Sequence, residues 1–368
     1  MGEALPPFFL YLLKIYHMKL INYLLIALVF VSSCKEENET VPTFAKDYGD
    51  GMYIVTENGV SFYDGEVVKN QIYKEVNGDA LSNPKKIKFK GKKAYIVSDN
   101  QIVTANVETF ENKEIIGGFV NATDFDFVDF DRLFVVDKGD AKVKVVDLVS
   151  LYITSDIETG DVTNPSFIIS KRPRSFILNS GAVADSLKDS TVIGIDYKDE
   201  AIPLADLIGS IEVGDNPNSA VWVGALKILC KGIYDENNLL NNTFSSLSKV
   251  DAGNVELDWN VTLPNIYNAK NLVSSSNNNK YFFTAVDGVY QMNNDGSGIS
   301  QKIYFISDIL DLSYERYDLT DTTWANVNML YINDAVNNPN VIYKYNVFID
   351  AFCDTIVVDS PVKDIAFY

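Results

Sequence analysis

The sequence predicts an all-β fold: a seven-bladed β-propeller whose C-terminal strand closes its N-terminal blade. Three observations predict it. A strand-and-turn unit recurs seven times, the copies are spaced like propeller blades, and the two chain ends complete each other. The copies are 53–59 (YIVTENG), 94–100 (AYIVSDN), 133–139 (LFVVDKG), 175–181 (SFILNSG), 226–232 (LKILCKG), 281–286 (YFFTAV) and 329–335 (MLYINDA). Their starts lie 41, 39, 42, 51, 55 and 48 residues apart. A four-stranded blade takes roughly 40–45 residues.

Each copy reads as the second strand of a blade. Its β-branched and aromatic run ends in Asn, Asp, Gly or another small residue, as antiparallel hairpins require. A third strand follows at 60–64, 101–107, 142–148, 191–197, 288–293 and 340–346, and a fourth at 114–119, 151–157 and 354–358. A first strand precedes several copies, at 85–90, 125–130, 167–170 and 220–224. The first copy has no strand before it, and the chain ends on a strand, 362–368, with no copy after it. That last strand supplies the missing first strand of the N-terminal blade, which closes the ring and leaves only short edges. A solenoid would show shorter repeats, and a β-sandwich would not repeat with this period.

The N-terminus carries a second signal. Lys19 opens an apolar run from Leu20 to Val31, broken only by Asn22, and Val31-Ser32-Ser33 places small residues before Cys34. Such a basic start, apolar stretch and small-residue site form a secretory signal. Cleavage before a cysteine resembles the lipobox of bacterial lipoproteins, which implies that the Cys34 thiol is acylated, with palmitate for example, and anchors the chain. Lys35, Glu36 and Glu37 follow at once. A lysine before two acids there looks like the surface-export tag of Bacteroidetes-type lipoproteins; read as bare chemistry it is a charged tether. Met18-Lys19 reads as the start, with 1–17 an upstream extension, and a longer signal anchor is the alternative. An uncleaved span needs roughly 20 apolar residues, and Lys14 and Lys19 fall inside the only window. The expected organisation is a signal at 1–33, a lipidated tether at 34–47 and the propeller at 48–368, on the outer membrane and facing outward.

Charge and composition exclude several function classes. The formal net charge is −19, and loss of Lys14, Lys19 and Glu3 with the signal makes it −20. Such a surface repels phosphate backbones and anionic membranes, so nucleic acid is not expected as a partner and the membrane is reached only through the lipid. The one histidine, His17, lies in the signal. The mature chain therefore has no imidazole base, no histidine metal ligand and no Ser-His-Asp or Cys-His pair. Cys230 and Cys353 sit in apolar runs and read as buried free thiols; a disulfide is the alternative in an oxidising compartment.

One unit carries a family signature. Residues 213–220 (VGDNPNSA), 221–223 (VWV) and 226–232 resemble the YncE-like, surface-layer-type propeller lipoproteins, and 248–251 and 261–264 fit the same pattern. The resemblance spans about 50 residues and implies the architecture. It does not carry a ligand over, because members differ; among them the BtuG type captures cobalamin.

Blade topology also predicts a binding face. Loops between second and third strands open on the same side as loops between blades. That side receives Asn83, Asn121, Asn164, Asp215, Asn216, Asn218 and Asn268, and the insertions 179–190, 231–246 and 333–340. Long insertions on one face of a repeat scaffold mark its binding side. Within the second, Tyr234 and Asp235 set an aromatic ring and a carboxylate over the funnel, which suits a polar, hydroxyl- or amide-rich ligand. Turn preference alone would also place Asn and Asp there. The opposite side receives short turns such as 90–93 and 171–174. Trp222 reads as core, Trp259 as core or hairpin face, and Trp324 as exposed in an irregular stretch.

The leading expectation is a capture protein, not an enzyme and without a cofactor. It would bind a small-molecule or glycan ligand and work with a TonB-dependent outer-membrane transporter, a corrinoid being the sharpest candidate. A second class is an adhesion or scaffolding propeller that binds a protein or glycan on a flat face. A third is a metal-dependent, lactonase-type hydrolase using Asp, Asn and Glu. Quinone-dependent dehydrogenase chemistry is disfavoured by the lack of an adjacent cysteine pair or a repeated Trp motif.

Overall fold

The computed structural model describes residues 47–159, 164–180, 188–197, 206–237, 239–305, 307–320 and 323–368, all within the unit Lys46–Tyr368. The signal, Cys34 and the Lys35-Glu36-Glu37 tag lie outside the described residues.

Among the described residues the strands form seven antiparallel sheets of four strands each. Blade 2 shows the pattern most simply, running from the centre outward through Pro84–Lys90, Lys93–Ser98, Gln101–Asn106 and Asn112–Ile116. Each blade is packed between two others, so its middle strands are buried on both faces. Ala94, Tyr95, Ile96 and Val97 are all buried, as are Leu133, Phe134, Val135 and Val136 in blade 3. Such strands read as unbroken apolar runs instead of alternating ones, which is why seven copies stand out in the sequence.

The inner strands touch in succession around a closed circle: Val362–Phe367, Pro84–Lys90, Ala122–Phe127, Pro165–Lys171, Pro217–Val223, Lys270–Ser274, Asp308–Thr320 and back to Val362–Phe367. Closure follows the predicted route. Val362–Phe367 pairs with Met52–Thr56 of blade 1, Ile54 opposite Ile365 and Met52 opposite Phe367.

Three local readings are corrected. The inner strand of blade 3 is Ala122–Phe127, three residues earlier than 125–130, and Phe130 is left in the turn, 91% exposed. The segment 333–340 is no insertion: Thr323–Asp334 and Asn338–Asn346 meet at a tight turn. Length is added on the opposite side, where Asp308–Thr320 and Thr323–Asp334 form a hairpin of 13- and 12-residue strands. Trp324 belongs to that hairpin, opposite Asp318, and not to an irregular stretch. The charges in DLSYERYDLT mask the strand because a projecting hairpin needs no continuous apolar run.

Blade 1 differs at its outer edge. Its fourth strand is only Val68–Lys69, and a short helix (α1, Ile72–Asn77) follows. The helix buries Ile72 and Tyr73, Tyr73 lying edge-on to Phe110 of blade 2 at 6.4 Å, and ends at Gly78 in the left-handed region (φ 83°). Cys230 is buried in blade 5, and Cys353 stands in blade 7 with its Sγ 3.5 Å from Met329 Sδ.

Candidate functional site: the central funnel

Four of the predicted asparagines, Asn83, Asn121, Asn164 and Asn216, occupy one structural position, just ahead of an inner strand on the upper side of the ring, and Asn268 lies one residue past the equivalent Tyr267. Backbone carbonyls there accept from the residue that follows the second strand: Lys138 N to Asn121 O (3.0 Å), Ser180 N to Asn164 O (3.1 Å) and Lys231 N to Asn216 O (2.9 Å). Asp99 N reaches Asn83 O at 3.5 Å, and Asn268 N donates to Lys231 O at 3.0 Å. Asn83, Asn216 and Asn268 take φ values of 44°, 55° and 55°, a region that asparagine tolerates better than most residues. Their side chains serve the frame as well. Asn83 Oδ1 accepts from Lys363 Nζ (2.9 Å), Asn121 Oδ1 from Lys85 Nζ (2.7 Å), and Asn216 Nδ2 donates to Gly232 O (3.0 Å). These asparagines build the rim.

The lumen is lined by what comes next. Each inner strand breaks register near its start, after Pro84, Ala122, Pro165, Pro217, Lys270 and Ile309 and again where Val362–Phe367 passes Thr56. A β-bulge re-aims side chains by placing two residues opposite one. Two successive residues of one strand can therefore face the centre, as Lys85 and Lys86 do, and Lys363 and Asp364. The upper funnel is a cavity of about 400 Å³ whose lining includes these four, Asn218, Lys270, Asn271, Asp308 and Asn333. Of the single residues named from the sequence only Asn218 lines it, its Nδ2 donating to Ala269 O of blade 6 at 2.9 Å, and the segment 333–340 contributes Asn333 and Ala335.

Below the funnel the inner strands are stitched by side chains. Asp364 Oδ2 accepts from Ile87 N (3.2 Å), Asp124 Oδ2 from Ile168 N (3.1 Å), Asp126 Oδ2 from Ser170 N (2.8 Å) and Ser219 Oγ from Leu272 N (3.1 Å). Each contact joins one blade to the following one. Lys86 and Lys88 lie 3.7 and 3.4 Å from Asp124, and Lys88 also donates to Phe125 O. Lys86 and Asp364 close the waist, since both also line a lower chamber with Lys88, Leu310 and Asp311.

Electrostatics separates the two levels. At the waist, Asp124 raises the Lys86 pKa, outweighing burial. Burial opposes ionisation of Asp124, but Lys86 and Lys88 prevail and hold it below its ordinary value. Burial pushes Asp126 and Asp364 up and Asp311 up to about 6. Above it, Lys85 and Lys231 move the other way. Burial lowers Lys85, and burial with repulsion from Lys270 and Lys138 lowers Lys231 at the rim.

The insertion 231–246 folds back on itself beside the mouth. Ile233 and Thr243 form a bridge, Asp235 N donates to Asn242 Oδ1 (2.8 Å), and Thr243 Oγ1 donates to Asp215 Oδ2 (2.9 Å). Asp215 and Asp235 thus brace the loop. Tyr234 and Phe244 pack on Tyr267 with centroids 5.4 and 5.1 Å away, and Leu240 at the tip is 98% exposed. Gly232 is required at the base: its φ is 73°, and a Cβ there would lie 2.3 Å from Thr243 O.

Lys85, Lys270, Lys363 and Asn271 escaped the sequence reading. They were marked only indirectly: Lys85 and Lys270 stand two residues beyond a rim asparagine, the position Asn218 holds in blade 5. Among the described residues no group of three or more His, Cys, Asp and Glu is placed to hold a metal.

No family model and no curated protein matches the sequence. The fold is shared with solved structures. A quinonprotein alcohol dehydrogenase-like protein from Bacteroides thetaiotaomicron superposes with a TM-score of 0.61 at 15% identity, over 86% of this chain and 78% of that one. A putative 6-phosphogluconolactonase from Bacteroides uniformis gives 0.60 at 12%, over 87% and 99%. Hydrazine synthase of Kuenenia stuttgartiensis gives 0.58 at 13%, over 82% and 92%. At such identities the likeness defines the class, a seven-bladed β-propeller, and nothing narrower.

Proposed function

We propose that the protein is a lipid-anchored capture propeller that takes a small polar ligand into the upper funnel and passes it to an outer-membrane transporter. One observation carries this reading: a cavity of about 400 Å³ at the centre of the upper side, where polar side chains from six blades converge. Small-molecule sites are concave, with a few convergent polar groups in a preformed frame, and the rim bonds supply such a frame. The anchor rests on the sequence around Cys34. The insertion beside the mouth supports a ligand with a flat or apolar part, because Tyr234, Tyr267 and Phe244 stand there together.

A corrinoid is the sharpest candidate within this reading. It is far larger than the cavity, so it would lie across the mouth, against those rings. Calorimetry of the full chain in detergent micelles against cyanocobalamin tests this. Saturable heat that disappears in Tyr234→Ala supports corrinoid capture on this side; heat that is absent, or indifferent to Tyr234, refutes it.

A further inference from the structure

We infer that the upper funnel selects a small organic anion, one bearing phosphate or carboxylate groups, through Lys85 and Lys363. The inference rests on the capture reading and names the ligand class of the same cavity. Its basis is a local reversal of charge. The chain as a whole is acidic, at −19, yet the funnel lining holds four lysines, Lys85, Lys86, Lys270 and Lys363, against two aspartates.

Those aspartates are already engaged. Asp308 sits 2.7 Å from Lys270, and Asp364 accepts the Ile87 N–H. Lys86 has Asp124 at 3.7 Å. Lys85 and Lys363 remain, and the oxygens they reach among the described residues are neutral. Lys85 Nζ donates to Asn121 Oδ1 (2.7 Å), Ala122 O (2.8 Å) and Asp99 O (3.4 Å), and Lys363 Nζ to Asn83 Oδ1 (2.9 Å).

The Lys85 ammonium is partly removed from water, its hydrogen bonds go to amide oxygens, and Asp99 and Asp137 act on it only through space, so it keeps an unfavourable desolvation that a carboxylate in contact would offset. The downward shift of Lys85 has burial as its first cause. A bound anion supplies the missing charge from outside the chain. Lys231, itself repelled by Lys270 and Lys138, extends the positive field above the cavity, and a concave site of one sign concentrates ligands of the other. The volume, near the lower end of the roughly 300–1,000 Å³ found for ligand pockets, limits the occupant to a small molecule.

Calorimetry of the full chain in detergent micelles, with citrate and inorganic pyrophosphate as anionic probes and cyanocobalamin and myo-inositol as uncharged ones, tests the inference. We expect at least one anion to bind, to weaken with added salt as screening requires, and to lose about tenfold in affinity, about 1.4 kcal/mol, in Lys85→Gln and in Lys363→Gln. Lys363 is exposed, so its variant keeps the test valid should Lys85→Gln misfold. Anions that bind both variants as tightly as the native chain overturn the assignment. Uncharged probes that bind while both anions fail overturn anion selectivity and leave capture standing. No binding by any probe removes both readings.

Discussion

The funnel and the waist of this propeller are built from the same strands, yet they treat lysine oppositely. In Pro84–Lys90 alone, Lys85 at the top meets only amide and carbonyl oxygens, whereas Lys86 and Lys88 lie within 4 Å of Asp124. The waist pairs its cations with carboxylates that also take backbone N–H groups from the following blade. Charge there is spent on holding seven sheets in a ring. The funnel pairs Lys270 with Asp308 but leaves Lys85 and Lys363 hydrogen-bonded to neutral oxygens alone, and its asparagines hold the rim. Within one lumen, a charge answered by the frame is structural, and a charge left to face solvent is available to a ligand.

The contrast breaks most severely at Asp124. Its side chain is 4% exposed, compensates Lys86 and Lys88, and accepts the Ile168 N–H. Asp124→Ala removes the main counter-charge of Lys86, leaves Lys88 only Asp126 at 3.9 Å, and leaves the buried Ile168 N–H unanswered. Loss of one partner of a buried pair costs about 3–5 kcal/mol, so denaturant unfolding should show that loss with little change in m. A loss below about 1 kcal/mol would mean that water in the lumen solvates these lysines and that the waist is not a buried pair at all.

Asp311 gives the next effect, with the opposite sign. Folded Asp311 holds its proton up to about pH 6, against an ordinary 3.8, first because it is buried. The folded chain therefore binds that proton more tightly than the unfolded chain does. The resulting stability is complete below about pH 4 and is lost as pH rises through 6. Asp311→Asn removes the cost of an ionised carboxylate and keeps an oxygen for the Leu312 N–H, which now donates at 2.7 Å. The variant should exceed the native chain by on the order of 2 kcal/mol at pH 8, with the difference vanishing near pH 4. Equal melting temperatures at both pH values would place Asp311 in bulk water.

The same division explains what could be read in the sequence. The seven middle strands were legible because burial on both faces makes them continuous, from Tyr53-Ile54-Val55 to Met329-Leu330-Tyr331-Ile332. Closure was legible because Val362–Phe367 had no other partner to complete. The hairpin of Asp308–Thr320 was not, since its polar and charged residues break the continuous apolar pattern by which the middle strands stand out. At the site, the turn residues were legible and the lumen residues were not. Asn83, Asn121 and Asn216 announce themselves by turn chemistry, but the bulge after Pro84, Ala122 and Pro217 decides which neighbours look inward. A bulge depends on register between strands, which one strand's sequence does not display. Asp137, whose carboxylate accepts from Val120 N and Asn121 N at 2.7 Å each, was missed for a related reason. It lies in a recognised repeat, where its acid looked like any other turn residue.

The smallest expected effect sharpens the comparison most. Lys363 is exposed, and among the described residues its Nζ donates to the neutral amide oxygen of Asn83 at 2.9 Å. Exposed substitutions of this kind stay within about 0.5 kcal/mol, so Lys363→Gln should leave the melting temperature of the native chain unchanged within error. The same variant is expected to weaken anion binding tenfold, whereas Asp124→Ala destabilises the fold outright. Stability and binding would then separate by level along one channel. A fall of several degrees in Lys363→Gln would show instead that its contact with Asn83 helps join blade 1 to blade 2. The funnel lysines would then be framework, like those of the waist, and their charge would no longer point to a ligand.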